Sequence, residues 1–360
     1  MSSLGAGGAE RVISELANTW VNNSFDISFI TYNETQADFY KLDDRINRIR
    51  IFYNANNTFG LFGKIIKNVN LIINLRTKLK SVRPNIIISF IDENNIITAI
   101  SAINLKSKII ASERIDPFSY RINFWRSIIR PFVYKYLVDK VVVQTELIAN
   151  KIKKKWKLDN LEIIPNQSRF SFSKCEIENL FVKRKPFILS VGRLNYQKGF
   201  DILIEAFYMI SSEITNWSLI IIGEGKEFAI LNHQIAELNM SSKITLLPNS
   251  DDISKWYSEC GIFCLSSRFE GFPNVLLEAI TCGAPSIAFD CPSGPKEILG
   301  ADSKYGLLVD EIDALKLAKG LKKLILDSES RYIYSINGVQ IAEKFSVNNI
   351  NSMWLELFKD

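Results

Sequence analysis

At 360 residues the chain is long enough for two domains with separate cores. It is 47% apolar and 23% charged with a formal net charge of +5, an ordinary globular composition. That balance permits attraction to phosphates or to an anionic membrane surface but gives no case for a nucleic-acid partner. No apolar run approaches the roughly 18 residues of a membrane-crossing helix, and the opening residues do not read as a secretory signal. Five cysteines without a C-x-x-C pattern fit reduced, mostly buried thiols. A single histidine excludes His-based metal sites and Ser-His-Asp triads; His233 falls in a helical pattern, 228–238, and reads as a surface residue.

In chain order, residues 3–8, Ser-Leu-Gly-Ala-Gly-Gly, lead into an amphipathic helix with Val12, Ile13, Leu16, Ala17 and Trp20 at helical spacing. Gly7 and Gly8 at a helix start let a ligand approach the backbone closely. Such a loop normally hangs from a strand, and none precedes it, so the first strand of this sheet is expected to be missing. Strand-like runs follow at 25–32, 49–53, 86–91, 108–112 and 140–144, with a weak sixth at 163–164. Helical patterns at 62–79 and 93–103 alternate with them, as in a parallel sheet covered on both faces. The stretch 59–80 mixes Phe59, Ile66, Val69 and Ile73 with Lys64, Lys67 and Arg76. A second stretch, 120–136, carries Arg121, Trp125, Arg126, Arg130 and Lys135. The first reads either as an anionic-membrane surface or as a core-packing helix with a solvated basic face, and the second as another membrane or acceptor surface. Ser112-Glu-Arg114 follows a strand end, where ligand-facing loops of such sheets lie.

Residues 166–186 are polar, Ser- and Lys-rich and aperiodic, and read as a linker. The pattern then restarts: strands at 186–194, 217–222, 244–247, 261–265, 285–289 and 306–309, with a helical, aromatic tail. The expected architecture is α/β, two Rossmann-like doubly wound parallel-sheet domains with a cleft between them. Boundaries are expected at 1–166, a linker at 167–185, a second domain at 186–340, and a C-terminal helix at 341–360 packing back towards the first domain.

Polar chemistry gathers at the strand ends of the second half. Arg193 and Lys198 bracket one loop and suit a diphosphate, since charge-assisted hydrogen bonds to phosphate are short and strong. Gly223-Glu-Gly225 follows the next strand. Ser266–Glu278, Ser-Ser-Arg-Phe-Glu-Gly-Phe-Pro-Asn-Val-Leu-Leu-Glu, follows a third, and Cys291-Pro-Ser-Gly-Pro-Lys296 a fourth. In the third, a strand, a tight loop and a helix opened near Pro273 point free N–H groups at an anion. Glu270 and Glu278 could line one pocket there and accept bonds from hydroxyls, or be ordinary solvated carboxylates.

This set, with Gly7-Gly-Ala-Glu-Arg-Val12 near the start, resembles the GT-B retaining glycosyltransferases of family 4 along nearly the whole chain. Ser112-Glu-Arg114 and Cys291–Glu297 look most like the bacterial members that build polysaccharide or lipid-linked oligosaccharide from UDP-linked hexoses or N-acetylhexosamines. The resemblance implies that Arg193 and Lys198 hold the donor diphosphate and stabilise the leaving nucleotide. It implies that Glu270 contacts the donor sugar, that Glu278 accepts from the ribose hydroxyls, and that N–H groups around Phe272, Asn274 and Val275 reach sugar or phosphate. Gly223 belongs with this donor set, and Gly7 and Gly8 would face the diphosphate from the other domain. No Asp-x-Asp pair is present, so neither a metal nor another cofactor is expected. Many family members carry a His near the donor sugar; here Ser112-Glu-Arg114 stands in that region, and Arg114 is read as an acceptor-phosphate or donor contact. The implied partners are a nucleotide sugar, a lipid-linked or oligosaccharide acceptor and the cytoplasmic membrane face. The rival readings are a catalytically silent sugar-nucleotide-binding subunit and a GT-B epimerase.

Overall fold

The computed structural model describes residues 1–5, 7–32, 38–51, 60–118, 124–250 and 252–359. Phe59, Arg121 and the end of the expected strand at 52–53 lie outside them. Two compact units emerge, one of residues 1–165 with 351–360 and one of residues 166–350.

The first unit runs α1 (Gly8–Asn22), β1 (Ser28–Thr31), β2 (Asn47–Arg50), α2 (Gly60–Val82), β3 (Ile86–Phe90), α3 (Asp92–Ser101), β4 (Lys108–Ser112), α4 (Phe124–Tyr136), β5 (Lys140–Val143), α5 (Glu146–Trp156) and β6 (Leu161–Ile163). Its described strands form two separate parallel groups, β1-β2 and β3-β4-β5-β6. β1 and β3 are each the last strand of their group, and a cavity of about 380 Å³ lies between them. The β-branched runs of β4 and β5 are buried almost throughout, as strands covered on both faces must be.

The second unit runs α6 (Lys174–Val182), β7 (Lys185–Val191), α7 (Phe200–Ile210), β8 (Ser218–Ile222), α8 (Phe228–Glu237), β9 (Ile244–Leu247), α9 (Ile253–Glu259), β10 (Cys260–Leu265), α10 (Asn274–Thr281), β11 (Ser286–Phe289), α11 (Pro295–Leu299), β12 (Leu307–Val309), α12 (Ala314–Leu326) and α13 (Ser328–Lys344). Its strands make one parallel sheet in the order β12-β11-β10-β7-β8-β9. Every residue of β10 is buried, which puts Cys260–Leu265 at the centre of the core. The unit boundary falls within the last helix, α14 (Val347–Lys359); on its first-unit side Trp354 meets Trp20 edge-on at 5.8 Å and stacks on Phe90 at 6.2 Å.

One reading needs correction. Residues 167–185 are not aperiodic linker throughout, because they hold α6. A capping box between Ser173 and Glu176 starts this helix and Ile177 is fully buried beneath it. With only one core contact position in nine residues, it lacks the apolar periodicity that reveals longer helices.

Candidate functional site

The sheet of the second unit sends four loops from the carboxyl ends of β7, β8, β10 and β11, and backbone bonds staple them together. Gly192 N donates to Ile222 O at 3.0 Å and Leu194 N to Glu224 O at 2.8 Å, joining the β7 and β8 loops. A Cβ at Gly223 would stand 1.9 Å from Gly192 O, with φ at +156°, so this approach requires glycine. Arg268 N donates to Gln197 O at 2.7 Å and Gln197 Nε2 to Phe269 O at 3.0 Å, tying the β7 loop to the β10 loop. Ser293 Oγ donates to Gly271 O at 2.8 Å, adding the β11 loop.

This staple brings Lys198, at the end of a short 3-10 turn (Tyr196–Lys198), against Glu270. Lys198 Nζ and Glu270 Oε1 are 2.7 Å apart, with side chains 15% and 8% exposed. Ser267 Oγ donates to the same carboxylate at 2.6 Å. The Lys198 stem lies across Gly192, where a Cβ would meet its Cε at 2.9 Å. Arg193, on the same loop, is exposed, and no ion pair of its guanidinium is found among the described residues. Cys291 is close enough to feel the carboxylate: burial first, then the Glu270 charge, pushes its thiol up to about 12, so it stays protonated and unreactive.

Helix α10 starts directly behind. Pro273 is its N-cap rather than a residue of its first turn, and the first intrahelical bonds run from Leu276 and Leu277 to Pro273 O. The N–H groups of Asn274 and Val275 precede those bonds and stand at the positive end of the helix. Asn274 Oδ1 accepts from Asn166 Nδ2 at 2.5 Å, while Phe272 is buried edge-on against Phe345. Glu278 is 3% exposed and accepts from Tyr257 Oη at 3.1 Å. Neither glutamate is a solvated surface carboxylate.

Of the residues singled out in the sequence, Arg193, Lys198, Gly223, Glu270 and Phe272 lie on adjoining loops of one sheet edge, and Asn274, Val275 and Glu278 on α10, which follows the last of those loops. Gly7, Gly8 and Arg114 belong to the first unit. Gly7 is the N-cap of α1, with Arg11 N donating to its carbonyl at 3.0 Å and the Glu10 carboxylate folded over it. Arg114 is half-buried after β4, with its guanidinium 3.6 Å from the Phe90 ring centroid. Burial pushes its pKa down to about 9, partly offset by Glu113, and it remains a cation at neutral pH.

Its neighbour Glu113 is spent within the unit: Arg130 Nε donates to it at 2.9 Å, and Arg130 Nη2 and Tyr134 Oη also reach it. Arg130 is thus a fully buried counter-ion, not the surface cation its basic-aromatic stretch suggests. Arg126 is 40% exposed but lies 3.5 Å from Asp92 and 3.3 Å from Glu93. Arg76 of α2 likewise donates to Ser101 O and Ile103 O. What the sequence missed is the support of these strand-end loops. The Arg268 guanidinium grips both Asp201 oxygens, at 2.9 and 2.6 Å, and holds the β10 loop on α7. Arg268 sits inside the motif, but no spacing links it to Asp201.

A convergent, partly buried cation, N–H groups at a helix start and two shielded carboxylates can hold a charged phosphate beside a polyhydroxyl group. Among the described residues no cluster of His, Cys, Asp and Glu able to hold a metal is found, and no helix is long and apolar enough to cross a membrane.

Comparison with known proteins points the same way. Residues 173–340 match the family model "Glycosyl transferases group 1". Over 98% of this chain and 96% of the relative, 28% of residues are identical to the amylovoran biosynthesis glycosyltransferase AmsD of Erwinia amylovora. Identity is 27% to the N-acetylgalactosamine-N,N'-diacetylbacillosaminyl-diphospho-undecaprenol 4-alpha-N-acetylgalactosaminyltransferase of Campylobacter jejuni, covering 95% of this chain and 93% of that one. The crystal structure of Anabaena HepE in complex with UDP and glucose superposes with a TM-score of 0.81, covering 100% of this chain and 98% of the other at 18% identity.

Proposed function

The chain belongs to the group 1 glycosyltransferases of GT-B fold, and from that premise we propose a retaining, metal-independent transfer from a UDP-linked hexose or N-acetylhexosamine to a lipid-linked glycan. The observation that carries this reading is the pairing of Lys198 with Glu270 on loops stapled beside Arg193 and the start of α10.

In such a transfer the bond from the sugar C1 to the diphosphate oxygen breaks and the electron pair leaves with the nucleotide. Positive charge develops on the sugar and negative charge on the diphosphate. Arg193 and Lys198 neutralise the leaving group together with the Asn274 and Val275 N–H groups, with Lys198 and the helix start held in place before the reaction begins. Glu270 holds the sugar hydroxyls and keeps Lys198 aimed. The acceptor oxygen bonds to C1 from the leaving-group face, and its proton goes to the departing phosphate, so no separate base is needed. Glu278, held by Tyr257, takes the ribose hydroxyls.

The lipid-linked acceptor is supported by the acceptor that the Campylobacter relative's name contains, and UDP by the ligand of the Anabaena structure. Approach to a membrane face is supported by α4, where Phe124, Trp125, Ile128, Phe132 and Tyr136 are all exposed. The epimerase alternative is disfavoured because the only His, His233, sits on an exposed helix face beside Glu237.

The test is calorimetric titration with UDP, ADP and GDP, beside the Arg193→Ala/Lys198→Ala double variant. UDP should bind selectively. Each lost charge-assisted bond should weaken binding by about 10- to 100-fold. A cooperatively folded chain that binds none of the three would refute the reading and favour a silent subunit.

A further inference from the structure

The second unit opens at Asn166, and the residues from there to Phe170 are laid along α10. Asn166 Nδ2 donates to Asn274 Oδ1 at the first residue of that helix, at 2.5 Å. Ser168 Oγ lies 2.9 Å from Thr281 Oγ1 at its last residue, and Ser168 N donates to Phe345 O at 2.8 Å. Phe170 then meets Tyr257 edge-on at 6.3 Å, and Tyr257 is the residue that holds Glu278. Asn166 and Ser168 are only 3% and 4% exposed, and polar side chains that deep must be bonded to be tolerated.

The direction of the Asn166 bond decides which way its partner faces. A primary amide carries an accepting oxygen and a donating nitrogen that differ little in shape, so either can turn inward. At position 274 the buried partner makes the choice. Asn166 offers its nitrogen, so Asn274 turns its oxygen towards Asn166 and its own Nδ2 the other way. Asn274 is half-buried, and no protein acceptor for its Nδ2 is found among the described residues. The side chain stands at the positive end of α10, where the backbone N–H groups of Asn274 and Val275 precede the first intrahelical bonds. The opposite orientation would add a carbonyl oxygen to that set of donors and repel an anion.

We propose that Asn166 is a positioning residue of the donor site, which captures the oxygen of Asn274 and thereby turns the Asn274 side-chain N–H groups towards the donor diphosphate. Asn166 acts only through Asn274, and the inference rests on the reading of these loops as a nucleotide-sugar site. A bond needed for packing alone would serve equally in either direction. A bond that orients a donor serves in one.

The test compares UDP with uridine on the full chain, by calorimetry for UDP and ligand-observed NMR for the weaker uridine. Uridine lacks the diphosphate and reports the ribose and base contacts alone. Asn166→Ala should weaken UDP about 5- to 10-fold and change uridine less than twofold. On an Asn274→Ala background the same change should cost no further UDP affinity, because no amide is left to orient. Asn166→Asp guards against a loss of folding, since it keeps a bond to Asn274 but can only accept. The Asn274 oxygen is then turned outward, so UDP should weaken at least as much as with Asn166→Ala. On the Asn274→Ala background, where only the added charge remains, that Asp should cost much less. No loss of UDP affinity in Asn166→Ala, equal losses of UDP and uridine, or a cost that persists without the Asn274 amide would overturn the inference and leave the donor site standing. A wild-type chain that binds no UDP would overturn the proposed function and this inference with it.

Discussion

Replacing Lys198 by Met removes the cation but keeps the stem that lies over Gly192. Glu270 would remain 8% exposed on its side chain, keeping among the described residues Ser267 Oγ at 2.6 Å and Gln197 Nε2 at 3.5 Å. Stripping one partner from a buried pair costs about 3–5 kcal/mol, and losing one hydrogen bond to a charged group about 1.5–3 kcal/mol. The surviving hydroxyl and the 15% exposure of Lys198 place this case near the lower range, at about 2 kcal/mol. Glu270→Gln keeps a hydrogen-bond acceptor and leaves a Lys that can turn towards solvent, so about 1 kcal/mol is expected. The double variant has no orphaned charge and should cost less than the sum, with a coupling of at least about 1 kcal/mol. Urea midpoints of the three variants at constant slope measure this directly. Additivity to within about 0.5 kcal/mol would refute the claim that the pair is preformed.

Three further outcomes follow from the same geometry. Tyr257→Phe deprives the buried Glu278 of its 3.1 Å donor and should cost about 1–3 kcal/mol of stability while weakening UDP binding, read by denaturation and calorimetry. Burial first, then Arg48, lowers the Met1 amino group to about 5 from its ordinary value near 8. Between those values the unfolded chain binds the extra proton, so stability should rise with pH across that window and fall on acidification; acetylating Met1 should remove that share of the slope. Trp125→Ser/Phe132→Ser should lower sedimentation with anionic vesicles several-fold and leave UDP affinity unchanged, since both side chains are exposed on α4 of the first unit.

Most strands were legible because each is a short apolar run closed by turn residues. β4 and β9 have the expected bounds, 108–112 and 244–247, since Lys108 and Ser112 close the first run and Lys243 and Pro248 flank the second. α6 was not legible, because a helix with one buried position has no periodicity to read. Arg130 was misread for a related reason. An Arg in an amphipathic stretch looks solvated until its partner is known, and Glu113 lies 17 residues away on the far side of a loop.

The strand-end loops of the second unit show why motif residues are readable while their support is not. The residue types at Arg193, Lys198, Glu270 and Glu278 suit the proposed ligand chemistry, which is the same wherever the loops sit. Their placement depends on Gln197, Ser267, Arg268 and Asp201, whose bonds span the two loops and α7. Many donor and acceptor pairs could do that work, so nothing in the sequence singles these out. Arg268→Ala separates the two kinds of residue. It removes no ligand contact, and with Asp201 43% exposed its ion pair adds little to global stability. Its effect should instead appear as a lower transfer rate with the folded state nearly as stable as before. A loss of stability matching the loss of rate would place Arg268 in the core fold rather than in the positioning of the loop.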